Sequence, residues 1–135
     1  MLYTAYTTEI MAKAASVLGK TADANYYAEL NRKIREAVIA ELYENGYIPE
    51  NKFQGVLTMA LKAGLYPDGQ RKVLDDRLVE VIYKENDGKI NTGFTSMEHI
   101  MFELVNGGHA EAAYTPHHTA DWEHAYQRLL HLIER

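Results

Sequence analysis

Carboxylates are the most numerous residues in this chain that could do chemistry, nineteen aspartates and glutamates in 135 residues. Glycoside hydrolysis needs two of them, one to donate a proton and one to act as nucleophile or base, and their separation sets the stereochemistry. Asp75, Asp76 and Glu80 fall on one helical segment, where a run of acids ordinarily forms a solvated face. Histidines are the second candidate. Five of the six come late, at His109, His117, His118, His124 and His131. A zinc site needs three or four ligands with a supporting shell. No HExxH or comparable spacing occurs, so they read as surface or interface groups, and no metal or other cofactor is expected. The third candidate is Asn91-Thr92-Gly93-Phe94-Thr95. At the opening of a helix this segment gathers free amide groups, hydroxyls and an aromatic ring. Such a set suits a sugar, whose hydroxyls meet polar groups while its C–H face meets the ring. The plainer alternative is a tight turn with Phe94 buried. Trp122-Glu123 has the same double character, a sugar-site pair or an amphipathic helix with Trp122 in the core.

Composition narrows the field further. The chain has no cysteine, which removes disulfides, thiolate zinc sites and a thiol nucleophile. A net charge of −5 and a pI near 5.6 argue against nucleic acid or an anionic membrane as partner. No P-loop, GxGxxG, GxSxG or EF-hand pattern is present. No apolar run approaches the ~20 residues that span a bilayer. Residues 1–6, Met-Leu-Tyr-Thr-Ala-Tyr, lack the basic and apolar regions of a signal peptide. Ten tyrosines against one tryptophan and three phenylalanines suggest helix–helix contacts with the hydroxyls reaching water, or a carbohydrate groove.

The elements that must position these residues are helical throughout. Tyr3, Tyr6, Ile10, Ala14 and Val17 step by three or four, and Gly19 follows where a helix ends. Thr21 serves as an N-cap for a second helix with the stripe Tyr27, Leu30, Ile34, Val38 and Leu42, closed by Asn45-Gly46. A third carries Phe53, Val56, Leu57, Ala60, Leu61 and Leu65. Pro67-Asp68-Gly69 turns the chain into a fourth through Leu74, Leu78, Val81 and Ile82, which Asp87-Gly88 stops. Thr95-Ser96-Met97-Glu98 reads as a capping box for a fifth, running to Gly107-Gly108. A short sixth spans His109 to Tyr114, and a seventh starts near Thr119 with Trp122, Tyr126, Leu129 and Ile133 on one face. The reading is all-α: one domain, residues 1–135, of about seven helices in antiparallel hairpins. Such hairpins build a bundle, a superhelical array or a closed α/α toroid. No repeat signature recurs, so a strict repeat array is disfavoured.

Several segments in order resemble the helical catalytic domain of bacterial α-L-rhamnosidases, glycoside hydrolase family 78. They are residues 5–13, 17–20 and 24–30, then Ala60-Leu61-Lys62-Ala63-Gly64-Leu65, Arg77-Leu78-Val79-Glu80, Glu85-Asn86-Asp87-Gly88, Asn91-Thr92-Gly93-Phe94 and Asn106-Gly107-Gly108-His109-Ala110. The resemblance runs from residue 3 to residue 114, leaving 115–135 as a divergent amphipathic tail. It implies part of an (α/α)6 toroid, and in the full-length family an inverting hydrolysis of terminal α-L-rhamnosides by a glutamic acid and a glutamate base. A rhamnose-containing glycan would be the ligand, with Thr92, Gly93, Phe94 and Trp122 as binding candidates. The family's general acid lies in an Asp- and Arg-rich stretch upstream of the matched part, and this chain has no counterpart. Its base lies in a Thr-Thr-Ile-Trp-Glu type motif after a Pro-Ser-Trp step. Thr119-Ala120-Asp121-Trp122-Glu123 is similar but comes too soon after Thr92 and lacks that step. Glu123 is therefore the one catalytic candidate, and the chain alone is expected to turn over little or no substrate. The alternative function is a non-catalytic helical module for protein interaction or assembly. A partial toroid leaves bare helix faces, and such apolar patches predict a homo-oligomer.

Overall fold

The computed structural model describes residues 1–114. Six α-helices account for most of them: α1 Leu2–Val17, α2 Thr21–Val38, α3 Gln54–Lys62, α4 Arg71–Glu80, α5 Phe94–Asn106 and α6 Ala110–Tyr114. No strand occurs among the described residues, so the all-α expectation holds. The seventh predicted helix, with Trp122 and Glu123, lies outside the described residues. No described helix is long and apolar enough to cross a membrane.

Consecutive helices pair as three hairpins, α1/α2, α3/α4 and α5/α6, and α3 packs on both α1 and α5. The odd-numbered helices thus form one row with α3 in the middle, and the even-numbered helices back them. α3 carries the densest core, with Leu57, Thr58, Ala60 and Leu61 almost completely buried. Around it close Leu74, Leu78, Val81 and Ile82 from the fourth segment and Ile100 and Leu104 from α5.

One capping device ends all three helices of the row. Gly19, Gly64 and Gly108 each follow a C-cap residue with φ of +69°, +63° and +83°. In each case the next residue's N–H donates back five residues, Lys20 to the Ala15 carbonyl, Leu65 to Ala60 and His109 to Leu104. This is the Schellman arrangement, which an L side chain at the glycine would strain. The hairpins therefore repeat in turn geometry although their sequences do not. Arg35 on α2 reinforces the middle one, its guanidinium donating to the carbonyls of Ala63 and Gly64 at 3.2 and 2.9 Å.

The outer helices α2 and α4 end alike. Each runs into a five-residue π-helical turn, Ile39–Tyr43 and Val81–Glu85. A positive-φ glycine follows, Gly46 or Gly88, and residues 51–53 or 89–93, outside any helix or turn, lead into the next helix of the row.

Three local expectations are corrected. The stripe read along α1 is not its buried face: Ala5, Thr8 and Ala15 are buried, while Tyr3, Ile10 and Val17 are exposed. Small residues let α2 approach closely, and Asn31 fixes the contact by donating to the Ala5 carbonyl at 2.6 Å and to Thr8 Oγ1 at 3.0 Å. Close approach along small side chains has outweighed the larger apolar stripe. Thr21 is the first residue of α2 rather than its cap, a place taken by Lys20 without a side-chain hydrogen bond. The capping box of α5 does not form, because the helix begins two residues earlier and Gly93, not Thr95, stands at the cap.

Candidate functional site

The three helices of the row begin at the same end, and a concavity of about 700 Å³ opens there. Leu2 and Tyr3 contribute from α1, and Phe53, Gly55, Val56 and Met59 from the start of α3. Asn91, Thr92, Gly93, Thr95 and Ser96 complete the wall at the start of α5. The opening amide groups of a helix have no intrahelical acceptors and carry its positive dipole end. Two such ends, those of α3 and α5, meet around this space beside α1, together with neutral hydroxyls and the exposed rings of Tyr3 and Phe53.

The polar side of the wall is held from below by Gln54, which is 1% exposed. Its Nε2 donates to the Lys89 carbonyl at 2.8 Å, and its Oε1 accepts from the Asn91 N–H at 2.9 Å. One buried amide thereby fixes the extended segment that presents Asn91 and Thr92. Thr92 and Ser96 share a hydrogen bond of 2.5 Å between hydroxyls, and Ser96 also donates to the Gly93 carbonyl at 3.3 Å. Helix α3 reaches this pair only because residue 55 is glycine: a Cβ there would lie 2.8 Å from Ser96 Oγ and 3.0 Å from Thr92 Oγ1. Sequence reading passed over both Gln54 and Gly55. A glutamine and a glycine opening an apolar helix directly after Phe53 was the available signal.

Of the predicted binding residues, Thr92 and Gly93 stand in the wall. Phe94 does not, and its ring is 96% exposed. The alternative that buried it in a tight turn is overturned: as the first residue of α5 its side chain projects into solvent. Trp122 and Glu123 lie outside the described residues. Further inward on α5, His99 is buried with its ring edge-on to Tyr6 at 5.1 Å. Its Nε2 lies 3.2 Å from Glu98 Oε1 without the alignment of a hydrogen bond.

A second polar cluster closes the opposite end of α5. Arg71 donates to Glu103 at 2.8 Å and lies 3.4 Å from Asp75, and both carboxylates are buried. Asp75 was expected on a solvated acidic face; it is 6% exposed instead, because α4 turns it toward Gly107, whose missing side chain makes room. Asp76 and its ion pair with Lys72 do face water. Burial pushes the Asp75 carboxyl above its ordinary value, against the opposing pull of Arg71 and His109. His109 lies 3.7 Å from both Asp76 and Glu111. Among the described residues no group of three His, Asp or Glu is arranged to hold a metal.

A row of helical hairpins whose inner helices open around one shared concavity fits the helical-hairpin class of glycosidase domain. The chain belongs to the bacterial alpha-L-rhamnosidase six-hairpin glycosidase domain family, whose sequence model matches residues 1–127. It is 31% identical over 112 residues to an alpha-L-rhamnosidase of Streptomyces avermitilis, a match covering 83% of this chain. The matched part is 11% of that relative's length. No solved structure matches the chain.

Proposed function

We propose that this chain supplies part of the sugar-binding surface of an inverting α-L-rhamnosidase, its ligand a rhamnose-containing glycan. The concavity carries the reading. It joins helix N-termini, hydroxyls of Thr92, Thr95 and Ser96, the Asn91 amide and the exposed rings of Tyr3 and Phe53. Neutral donors and acceptors beside aromatic faces are what a sugar requires, and they are poorly suited to a strongly charged ligand.

The same wall argues that the chain binds without turning over. Inversion needs two carboxyl groups about 6.5–9.5 Å apart across the scissile bond, and no aspartate or glutamate lines the concavity among the described residues. Asp75 and Glu103 are clamped by Arg71 at the other end of α5 and face no open space of this kind.

The test is amide NMR of the labelled chain with rising L-rhamnose, beside an assay on an aryl α-L-rhamnoside. Saturable shifts at Thr92, Gly93 and Ser96 without product release are expected. Spectra indifferent to the sugar would favour the non-catalytic assembly module. Product release abolished by Glu123→Gln would overturn the inactivity of the chain alone.

A further inference from the structure

The hydroxyl pair in the wall of the concavity has a direction. Ser96 is buried, and among the described residues its hydroxyl meets the Gly93 carbonyl at 3.3 Å and Thr92 Oγ1 at 2.5 Å. A carbonyl has no proton to give. Both bonds therefore form only when Ser96 donates to Gly93 and accepts from Thr92. The reverse, with Ser96 donating to Thr92, makes one bond in place of two and is the weaker arrangement. Thr92 thus spends its single proton inward and keeps its lone pairs. Behind the pair the α3 backbone stands so close that a Cβ on Gly55 would lie 3.0 Å from Thr92 Oγ1. The open side of that oxygen is the concavity, which Thr92, Ser96 and Gly55 all line.

Asn91 is oriented in the same sense by a different chain of bonds. Asn86 donates through Nδ2 to the Val81 carbonyl at 3.0 Å, which fixes its Oδ1 as the free end of the amide. That oxygen accepts from Asn91 Nδ2 at 3.3 Å. Asn91 Oδ1 is left on the side away from Asn86, without a donor among the described residues, and the Asn91 N–H is already held by Gln54. We propose that Thr92 Oγ1 and Asn91 Oδ1 are a pair of oriented acceptors that determine specificity. They select a glycan by two neighbouring hydroxyls that donate to them, an unsubstituted vicinal diol. An alkylated, acylated or fluorinated position cannot donate, and it sets one acceptor against another at a site built to receive a proton. The inference rests on the sugar reading of the concavity and adds to it which sugar groups are read.

The test uses methyl α-L-rhamnoside and analogues in which fluorine replaces one ring hydroxyl at a time. Each is titrated into the labelled chain and followed by amide NMR. Two analogues, fluorinated at adjacent carbons, should bind about tenfold more weakly than the parent, the weight of one neutral hydrogen bond each. Thr92→Val should erase one of these penalties and leave the other, and Thr92→Ser should keep both. Ser96→Ala frees the Thr92 proton to turn outward, so the penalty at the same position should fall severalfold. The proton is also read without ligand: Thr92 Hγ1 should exchange slowly with water and show a nuclear Overhauser contact to Ser96. Equal binding of parent and analogues overturns the inference while the sugar reading stands, and so does a penalty unchanged in Ser96→Ala. A chain that shows the Thr92 proton contact yet ignores the parent glycoside overturns the sugar reading, and the inference falls with it.

Discussion

Helix α5 carries a buried polar cluster at each end, and the two are built on opposite principles. At its N-terminus Gln54, Thr92 and Ser96 are neutral, satisfied by short hydrogen bonds, and open onto a concavity. At its C-terminus Asp75 and Glu103 are buried carboxylates held by a partly exposed Arg71, with Gly107 making room for Asp75. Neutral groups can be desolvated by a ligand at modest cost, whereas buried charges bind one another and resist exchange. The first end is suited to recognition and the second to holding α4 against α5.

Removing Arg71 should separate the two ends most sharply. Arg71→Ala leaves two buried carboxylates without their cation, and breaking a buried pair in this way costs about 3 kcal/mol at neutral pH. Urea unfolding should show that loss, while amide shifts at Thr92 and Gly93 stay in place. Movement of both sets would mean that the ends are coupled along α5.

Gly55→Ala is the matching probe of the neutral end. Its methyl would press on Ser96 and Thr92, and overpacking of this kind costs about 1–3 kcal/mol. Pairing it with Ser96→Ala should restore part of the stability but not the rhamnose shifts. Full stability in the single variant would show that α3 is free to slide.

A smaller effect is expected from pH. The folded state holds the Asp75 proton more tightly than the unfolded chain does, because burial raises its carboxyl above the ordinary 3.8. Ionised Asp75 therefore costs stability at neutral pH, and the cost is relieved as pH falls through the raised value toward 3.8. Asp75→Asn should flatten that part of the stability–pH curve. An unchanged slope would mean that Arg71 offsets the burial completely. The neutral end should contribute no such slope.

Phe94→Ala should do least. With the ring in solvent, the melting free energy should change by no more than about 0.5 kcal/mol. A loss of several kcal/mol would place that ring in a contact the described residues do not make.

Helix content and order were legible because apolar spacing is a local property: of the stripe Tyr27, Leu30, Ile34, Val38 and Leu42, the last three lie in or against the core from α2 and the turn after it. The face of α1 was not, since Ala5, Thr8 and Ala15 carry little hydrophobic signal and are chosen by how near α2 must come. Of the site, Thr92 and Gly93 could be read from their place before a helix. Gln54 could not, because its partners Lys89 and Asn91 are brought to it only by tertiary packing. The burial of Asp75 was hidden for the same reason, since Gly107, whose missing side chain makes room for it, lies at the end of another helix.

The wide turns that finish α2 and α4 give the hairpins a tolerance for changes in chain length. A π-helical turn is an α-helix holding one residue more than its ladder needs. Deleting Ala40 or Lys84, both exposed, should draw Ile39–Tyr43 or Val81–Glu85 back into regular helix and leave the following loop correctly aimed. The same deletion inside α3 would rotate half its core face by about 100°. Evolution can therefore lengthen or shorten these hairpins by one residue at the outer helices while the inner row keeps its phase.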